Sequence, residues 1–339
     1  MHLPRYLLFL LCSSHLRKFL VTLFFISFVY IFRYNLLTLF YIIQTYLTWY
    51  EFSSLITDKD NFDTTMASYP LNQTTAGGNY TDVIPPILHH ILIGNIDMKT
   101  RPTWVAAQQA CLQWHPDYEY KFWNDSSAEQ LIREHYPWFL SIWKNYPYPI
   151  QRADSLRYLV LHRYGGIFLD LDLHCRRSLG PLRRFEFISP SAYPVGISNG
   201  FLMVAARHPF FQVLVEQLPL FNRNFLLPYA TVMFSTGCMY ISAQYSLYPD
   251  QCHLRLLDYQ QHRLSGRIST PLFHHHGSSS WHANDALFIK IADNILKKCS
   301  QYRVLLFIIF IISSLLIIYF YRKRRRIQQS EKDQKLLLT

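Results

Sequence analysis

Two apolar segments enclose a polar middle, and this arrangement limits the folds open to the chain more than any other feature. Residues 304–320 are apolar apart from Ser313 and Ser314. A bilayer span needs roughly 20 such residues, so this run with its flanks reads as a transmembrane helix. Near the other end, runs at 19–32 and 36–43 are separated by Arg33, Tyr34 and Asn35. Each is short for a span. Either they form one tilted crossing with Arg33 snorkelling to an interface, or the second run lies in the interface. No small-residue cleavage site follows the first core, which argues against a signal peptide.

The formal charge of +11 suggests nucleic acid only until it is located. Much of it lies in Arg17, Lys18 and the run Arg322, Lys323, Arg324, Arg325, Arg326, which flank the apolar segments. These are topology signals that place both ends in the cytosol, and one crossing at each end puts the middle in the lumen. No nucleic-acid partner is expected. Sequons at Asn72, Asn79 and Asn124 are acceptors only on the lumenal side and support this topology. Lys297, Lys298 and Arg303 lie on the lumenal flank of the second helix, but five positive residues outnumber three. Cys111, Cys175, Cys238 and Cys252 would meet an oxidising lumen; their spacing fits no metal knuckle and leaves disulfide connectivity open.

The predicted organisation is a cytosolic N-terminus at 1–18, an anchor at 19–43, a lumenal stem at 44–82, a single large domain at 83–300, a transmembrane helix at 301–321 and a basic tail at 322–339. Residues 52–81 are rich in Thr and Asn and contain Gly77-Gly78, hence the stem. Order begins at a β-rich run over 84–91. A helix is predicted over 105–113, a strand over 118–123, and a helix capped by Asn124 or Asp125 through Glu134. The most amphipathic helix of the middle covers 150–164, ends at Gly165-Gly166, and is followed by a buried strand over 167–171. Alternating strands and helices predict an α/β fold with a mostly parallel sheet.

That helix–Gly–Gly–strand unit delivers Asp170-Leu171-Asp172 to the carboxyl end of a strand, where open α/β sheets bind ligands. Alternation points Asp170 and Asp172 to one side, and two hard oxygen donors there suit Mn²⁺, with Mg²⁺ as the alternative. Upstream, Asp154 and Arg157 are neighbours on one helix face, near Arg152 and Tyr158. They are either a surface ion pair worth little or a donor-side pair whose arginine holds a carboxylate or phosphate. A loop of small polar residues at 277–280 leads to Trp281, His282 and Asp285, so His282 can complete a metal site if the loop folds over the sheet edge. The trio His274, His275 and His276 reads equally as a fortuitous polar tract.

In order along the chain, Ile84-Pro85 with Ile87, Trp123 with Asp125, Arg152-Ala153-Asp154 with Arg157-Tyr158, and Tyr164-Gly165-Gly166-Ile167 with Asp170 and Asp172 resemble the glycosyltransferases with a DXD sugar-binding region. Ser198-Asn199, Ser235-Thr236-Gly237 and the stretch from Gly277 through His282 to Asp285 are most similar to the fungal inositol phosphoceramide mannosyltransferases. The resemblance covers about 84–285. It departs where His90 replaces a usual Gln and Cys238 a usual Pro.

The resemblance implies a GT-A type nucleotide-sugar-binding domain with transmembrane helices at both ends, in a Golgi membrane. It further implies mannose transfer from GDP-mannose to the inositol headgroup of inositol phosphoceramide, with retention of configuration. By position, Asp170, Asp172 and His282 would bind the metal, Asp154, Arg157, Tyr158 and Asn199 the donor, and Asp154 and Asp285 would join Asp170 and Asp172 in catalysis. A membrane regulatory subunit is a further partner it admits. The rival readings are an N-glycan outer chain as acceptor, which a second membrane helix disfavours, and a catalytically silent regulatory subunit, against which Asp170, Asp172 and His282 argue.

Overall fold

The computed structural model describes residues 14–277 apart from Asn95. His282, Asp285, the apolar segment at 304–320 and its basic flanks lie outside the described residues.

Helix α1, Ser14–Phe52, is one continuous rod of 39 residues, about 58 Å long at 1.5 Å per residue. The two apolar runs belong to this one helix, unbroken at Arg33: its guanidinium lies over the rings of Tyr30 and Tyr34 and donates to the Tyr30 carbonyl, so the charge is held along the helix wall. The helix has two characters. The apolar side chains of its first half, Phe19 through Phe32, are solvent-exposed, whereas Thr38, Ile42, Thr45 and Trp49 bury a stripe at helical spacing. Thr38 and Thr45 donate to the carbonyls of Tyr34 and Tyr41, which satisfies their hydroxyls within that apolar face.

The segment expected to stand off as a stem is instead packed onto the domain. Ile56, Phe62, Met66, Ala76 and Ile84 are buried. Arginines tie its backbone down: Arg177 donates to the Met66 carbonyl at 2.6 Å, and Arg183 to the Thr74 and Ile84 carbonyls. The composition looks solvated because these contacts use main-chain carbonyls, which every residue type carries.

Strand β1 (Ile87–Ile91), helix α2 (Pro102–Trp114), strand β2 (Glu119–Trp123) and helix α3 (Asp125–His135) follow close to their predicted places. Asn124 caps α3, its side chain accepting from the Ser127 amide. After the short α4 (Leu140–Lys144) comes α5 (Pro149–Tyr164), then β3 (Gly166–Leu169) and β4 (Leu173–Cys175). Gly165 and Gly166 have φ of +66° and +98°, and a Cβ on either would come within 2.5 Å of backbone. Only glycine lets α5 turn this tightly onto β3. Next come β5 (Phe187–Pro190), β6 (Phe201–Val204), α6 (Pro209–Phe221), α7 (Pro228–Ser235), α8 (Cys238–Leu247), β7 (Leu254–Leu257), α9 (Tyr259–His262), β8 (Ile268–Ser269) and β9 (Phe273–His275).

The main sheet runs β2-β1-β3-β6-β5-β7, and β4-β9-β8 form a smaller one. The fold is mixed α/β. β6 is antiparallel to both β3 and β5, so the sheet departs from the expected mostly parallel design at its centre. Alternate residues of β3 and β6 feed opposite layers: Phe168, Leu202 and Val204 pack with α5, α6, α8 and the second half of α1, while Ile167, Leu169, Phe201 and Met203 pack with the 56–84 wrap. A disulfide joins Cys111 on α2 to Cys175 on β4.

Candidate active site

Antiparallel pairing of β3 with β6 sets Asp170, just past the end of β3, against the start of β6: the Asp170 amide donates to the Gly200 carbonyl at 2.8 Å. Leu171 turns inward and is buried, and Asp170 and Asp172 lie in the turn between β3 and β4, closed by the Leu173 amide donating to the Asp170 carbonyl at 3.0 Å, not on a continuing strand as expected. Gly200 leaves room for the first carboxylate, since a Cβ there would lie 2.7 Å from Asp170 Oδ2.

Behind this pair is a buried polar network carried by α5. Arg157 Nη2 lies 2.7 Å from Asp154 Oδ1 and 3.5 Å from Asp170 Oδ1. The Arg157 and Asp154 side chains are only 3% and 5% exposed, which rejects the surface-pair reading. Arg157 also donates to the Asn199 carbonyl at 2.6 Å and lies over the Phe168 ring. Asp154 accepts further from Asn199 Nδ2 and Thr236 Oγ1, and Tyr158 donates to the Thr236 carbonyl. Cys238 donates to Asn199 Oδ1 at 3.0 Å. Burial raises Asp154 to about 6 against the pull of Arg157, Thr236 and Asn199. A buried pair this well bonded is costly to break, at about 3–5 kcal/mol for loss of one partner.

The outer carboxylates differ. Asp170 is surrounded by protein yet keeps 42% of its side-chain surface, so it looks out through an open mouth. Burial raises it to about 7; Arg157 opposes this, and the nearby Asp172 and Asp154 charges reinforce it. Asp172 lies 3.3 Å from His275 Nε2 on β9, and its carbonyl accepts from the His276 amide. Burial alone would lower His275, but the hydrogen bond and charge of Asp172 outweigh it and hold the imidazole above its usual range. Three carboxylates thus converge on one arginine and one histidine. Crowded, open, hard oxygen donors of this kind fit a divalent cation, which would relieve the like-charge repulsion.

Of the residues singled out from sequence, the structure gathers Asp154, Arg157, Tyr158, Asp170, Asp172 and Asn199. Arg152 is elsewhere, paired with Asp125 at 3.1 Å. His282 and Asp285 lie outside the described residues. Asn72, Asn79 and Asn124 are all exposed, and Asn124 also caps α3 through its Oδ1. His275, Thr236 and Gly200 join the site without a role read from sequence: Thr236 lies in the Ser235-Thr236-Gly237 match, and His275 in the His tract directly before the Gly-Ser loop.

The site's place relative to α1 follows from aromatic contacts. Tyr41 stacks on Phe221, and Phe221 meets Tyr240 edge-on at 5.1 Å. Eight residues further along α1, Trp49 meets Tyr245 at 5.4 Å. α8 therefore runs in the same sense as α1, and its first residue, Cys238 against Asn199, lies at the end nearer the exposed half of α1.

The DXD pair at a strand end, backed by a buried ion pair on the preceding helix, defines a site of the glycosyltransferase class, and residues 102–188 match the family described as "Glycosyltransferase sugar-binding region containing DXD motif". The chain is 37% identical over 226 residues to a mannosyl phosphorylinositol ceramide synthase of Saccharomyces cerevisiae, covering 64% of this chain and 58% of that one. It is 39% identical over 214 residues to inositol phosphoceramide mannosyltransferase 3 of Schizosaccharomyces pombe, covering 62% and 59%. To inositol phosphoceramide mannosyltransferase 1 of that yeast it is 31% identical over 237 residues, covering 68% and 72%. The chain belongs to this family of inositol phosphoceramide mannosyltransferases. It spans under six-tenths of the length of the first two relatives.

Proposed function

We propose that this protein transfers mannose from GDP-mannose to the inositol headgroup of inositol phosphoceramide, with retention of configuration, on the lumenal side of a Golgi membrane. The observation that carries the reading is the Asp170–Asp172 pair just past the end of β3, with Asp170 open, in a chain of this family. The domain is read as GT-A type, and the exposed Asn72, Asn79 and Asn124 as the glycosylation acceptors.

Asp170 and Asp172 would hold a divalent cation, Mn²⁺ or Mg²⁺, with His282 as a further ligand; bound there, the cation supplies charge neutralisation for the departing nucleotide diphosphate. The chain's own residues set the geometry. His275 orients Asp172, Arg157 orients Asp170, and Asp154 fixes Arg157 and the Asn199 amide. Asp154, Arg157, Tyr158 and Asn199 are buried, so they act through Asp170, which borders the open side. In the transfer, an inositol hydroxyl oxygen bonds to the anomeric carbon on the face from which GDP leaves. The bond from that carbon to the diphosphate oxygen breaks, and the hydroxyl proton passes to the diphosphate. Asp285 would lie near the transferred sugar.

A lipid acceptor agrees with the site lying at the membrane-side end of α8: a tethered domain holds its cleft near the headgroups at high effective concentration. The test is transfer of tritiated mannose from GDP-mannose into the lipid phase by full-length protein with Mn²⁺ and inositol phosphoceramide, with Asp172→Ala in parallel. Label in the wild type alone is expected. Donor binding without lipid label would point to another acceptor or a missing membrane subunit; no donor binding would overturn the reading.

A further inference from the structure

The turn between α6 and α7 carries an unusual side chain. Leu226 is 92% exposed, and its φ of +69° lies in the left-handed region that a leucine rarely occupies. Leu227 beside it is also exposed. Single exposed leucines are ordinary on soluble surfaces, but this loop is attached to the apolar helix. Asn35 Nδ2 donates to the Asn224 carbonyl at 2.9 Å, and the Arg223 guanidinium lies over the Tyr34 ring at 4.7 Å. Inside the loop, the Leu226 amide donates to Asn224 Oδ1 and the Phe225 amide to Thr231 Oγ1. Phe225 packs edge-on against Phe234. The polar groups of the turn are therefore satisfied from within while the two leucines project outward.

The position of the loop can be set against the bilayer. The candidate span begins at Lys18, and a hydrocarbon core of about 30 Å, at roughly 1.5 Å per residue, is crossed in about 20 residues, near Leu37. Asn35 and Tyr34, and with them the loop they hold, fall at the upper hydrocarbon boundary. Two arginines, Arg33 and Arg223, flank Tyr34 at this level, stacked on its ring at 4.6 and 4.7 Å. Aromatic rings and basic side chains are the residues that populate that boundary.

We propose that the 223–227 loop is a membrane contact additional to α1, in which Leu226 and Leu227 insert into the bilayer interface beside α1 while Arg223 faces the lipid phosphates. This rests on reading α1 as a membrane span. Helix α1 on its own does not fix which side of the domain faces the headgroups. A contact through this loop does, and the end of α8 that touches the candidate active site lies towards that side.

The test places an environment-sensitive fluorescent amino acid at position 226 of the full-length protein in phosphatidylcholine–phosphatidylserine nanodiscs, with Phe25 in α1 and Lys144 on α4 as reference positions. The expected result is blue-shifted emission at 226 quenched by lipids bearing a shallow nitroxide, quenching at 25 by a deep nitroxide, and none at 144. Quenching at 25 with 226 behaving like 144 overturns the proposal and leaves the anchor intact. No quenching at 25 overturns the membrane reading itself, and the proposal with it. In parallel, Leu226→Glu should raise the apparent KM for acceptor presented in vesicles without altering donor binding or the melting temperature. An unchanged KM would also count against the proposal.

Discussion

Asp154 and Asp170 lie in contact with the same arginine, yet they belong to opposite regimes. Asp154 is enclosed and bonded to Arg157, Asn199 and Thr236. Asp170 shares the guanidinium at 3.5 Å, faces Asp172, and remains open. The enclosed carboxylate serves the fold, because its removal strands a buried cation. The open one costs stability, because like charges are crowded there, and it is kept for what it can bind. One arginine thus couples a structural pair to a chemical one.

The strongest way to break this comparison is to neutralise each side in turn. Asp172→Asn or Asp170→Asn should lower mannosyl transfer by at least about 100-fold, and for Asp170→Asn the melting temperature should equal or exceed that of the wild type, because repulsion is relieved. A clear fall in thermal stability would show that the open pair is structural after all. Asp154→Ala should do the reverse first: destabilise the fold by about 3–5 kcal/mol, measured by denaturant unfolding in detergent, with activity lost as a consequence. Retained stability would mean that Arg157 finds full compensation from Asp170.

A finer probe displaces the open carboxylate without removing it. Gly200→Ala places a Cβ 2.7 Å from Asp170 Oδ2, and the flexible carboxylate, not the backbone, has to give way. Activity should fall by about 10- to 100-fold, as for a misplacement on the order of 1 Å, with little change in melting temperature. Unaltered kinetics would show that Asp170 has rotational freedom to spare.

The smallest expected effect concerns the interior away from the site. Burial lowers His89 and His115 to about 4 and His90 to about 3. The unfolded chain therefore takes up protons below about 6.5 that the folded chain refuses. Stability should be full above that pH and decline as pH falls from about 6.5 towards 4. His115→Gln should flatten the slope of unfolding free energy against pH in this window; an unchanged slope would remove His115 from the account.

The α5–Gly–Gly–β3 unit was legible because every local preference agrees: a helical apolar stripe, two glycines where φ is positive, and a short apolar strand. Asp170 and Asp172 stand out by their chemistry directly after that apolar run, but they lie in the turn past β3, where strand alternation does not apply. Asp154 and Arg157 were visible as neighbours, but not as buried, because burial is set by Phe168, Asn199 and Thr236 from other elements. His275 was hidden among three consecutive histidines, and only its register opposite Leu173 on β4 selects the middle one. The 53–82 stretch misleads for a related reason: its few buried apolar residues have no period, and its anchoring runs through carbonyls that composition does not register.

By itself, the sequence determined the local elements around the site, the two acidic donors, and the apolar character of α1, since each depends on periodicity or chemistry within a few residues. The tertiary structure alone decided that β6 reverses to bring Asn199 and Gly200 against Asp170, that His275 meets Asp172, and that the second half of α1 docks on α8 while the first half stays exposed. Those contacts join residues far apart in the chain. Their partners are chosen by how whole layers pack and which polar groups must be satisfied when they do, and no local pattern carries that information.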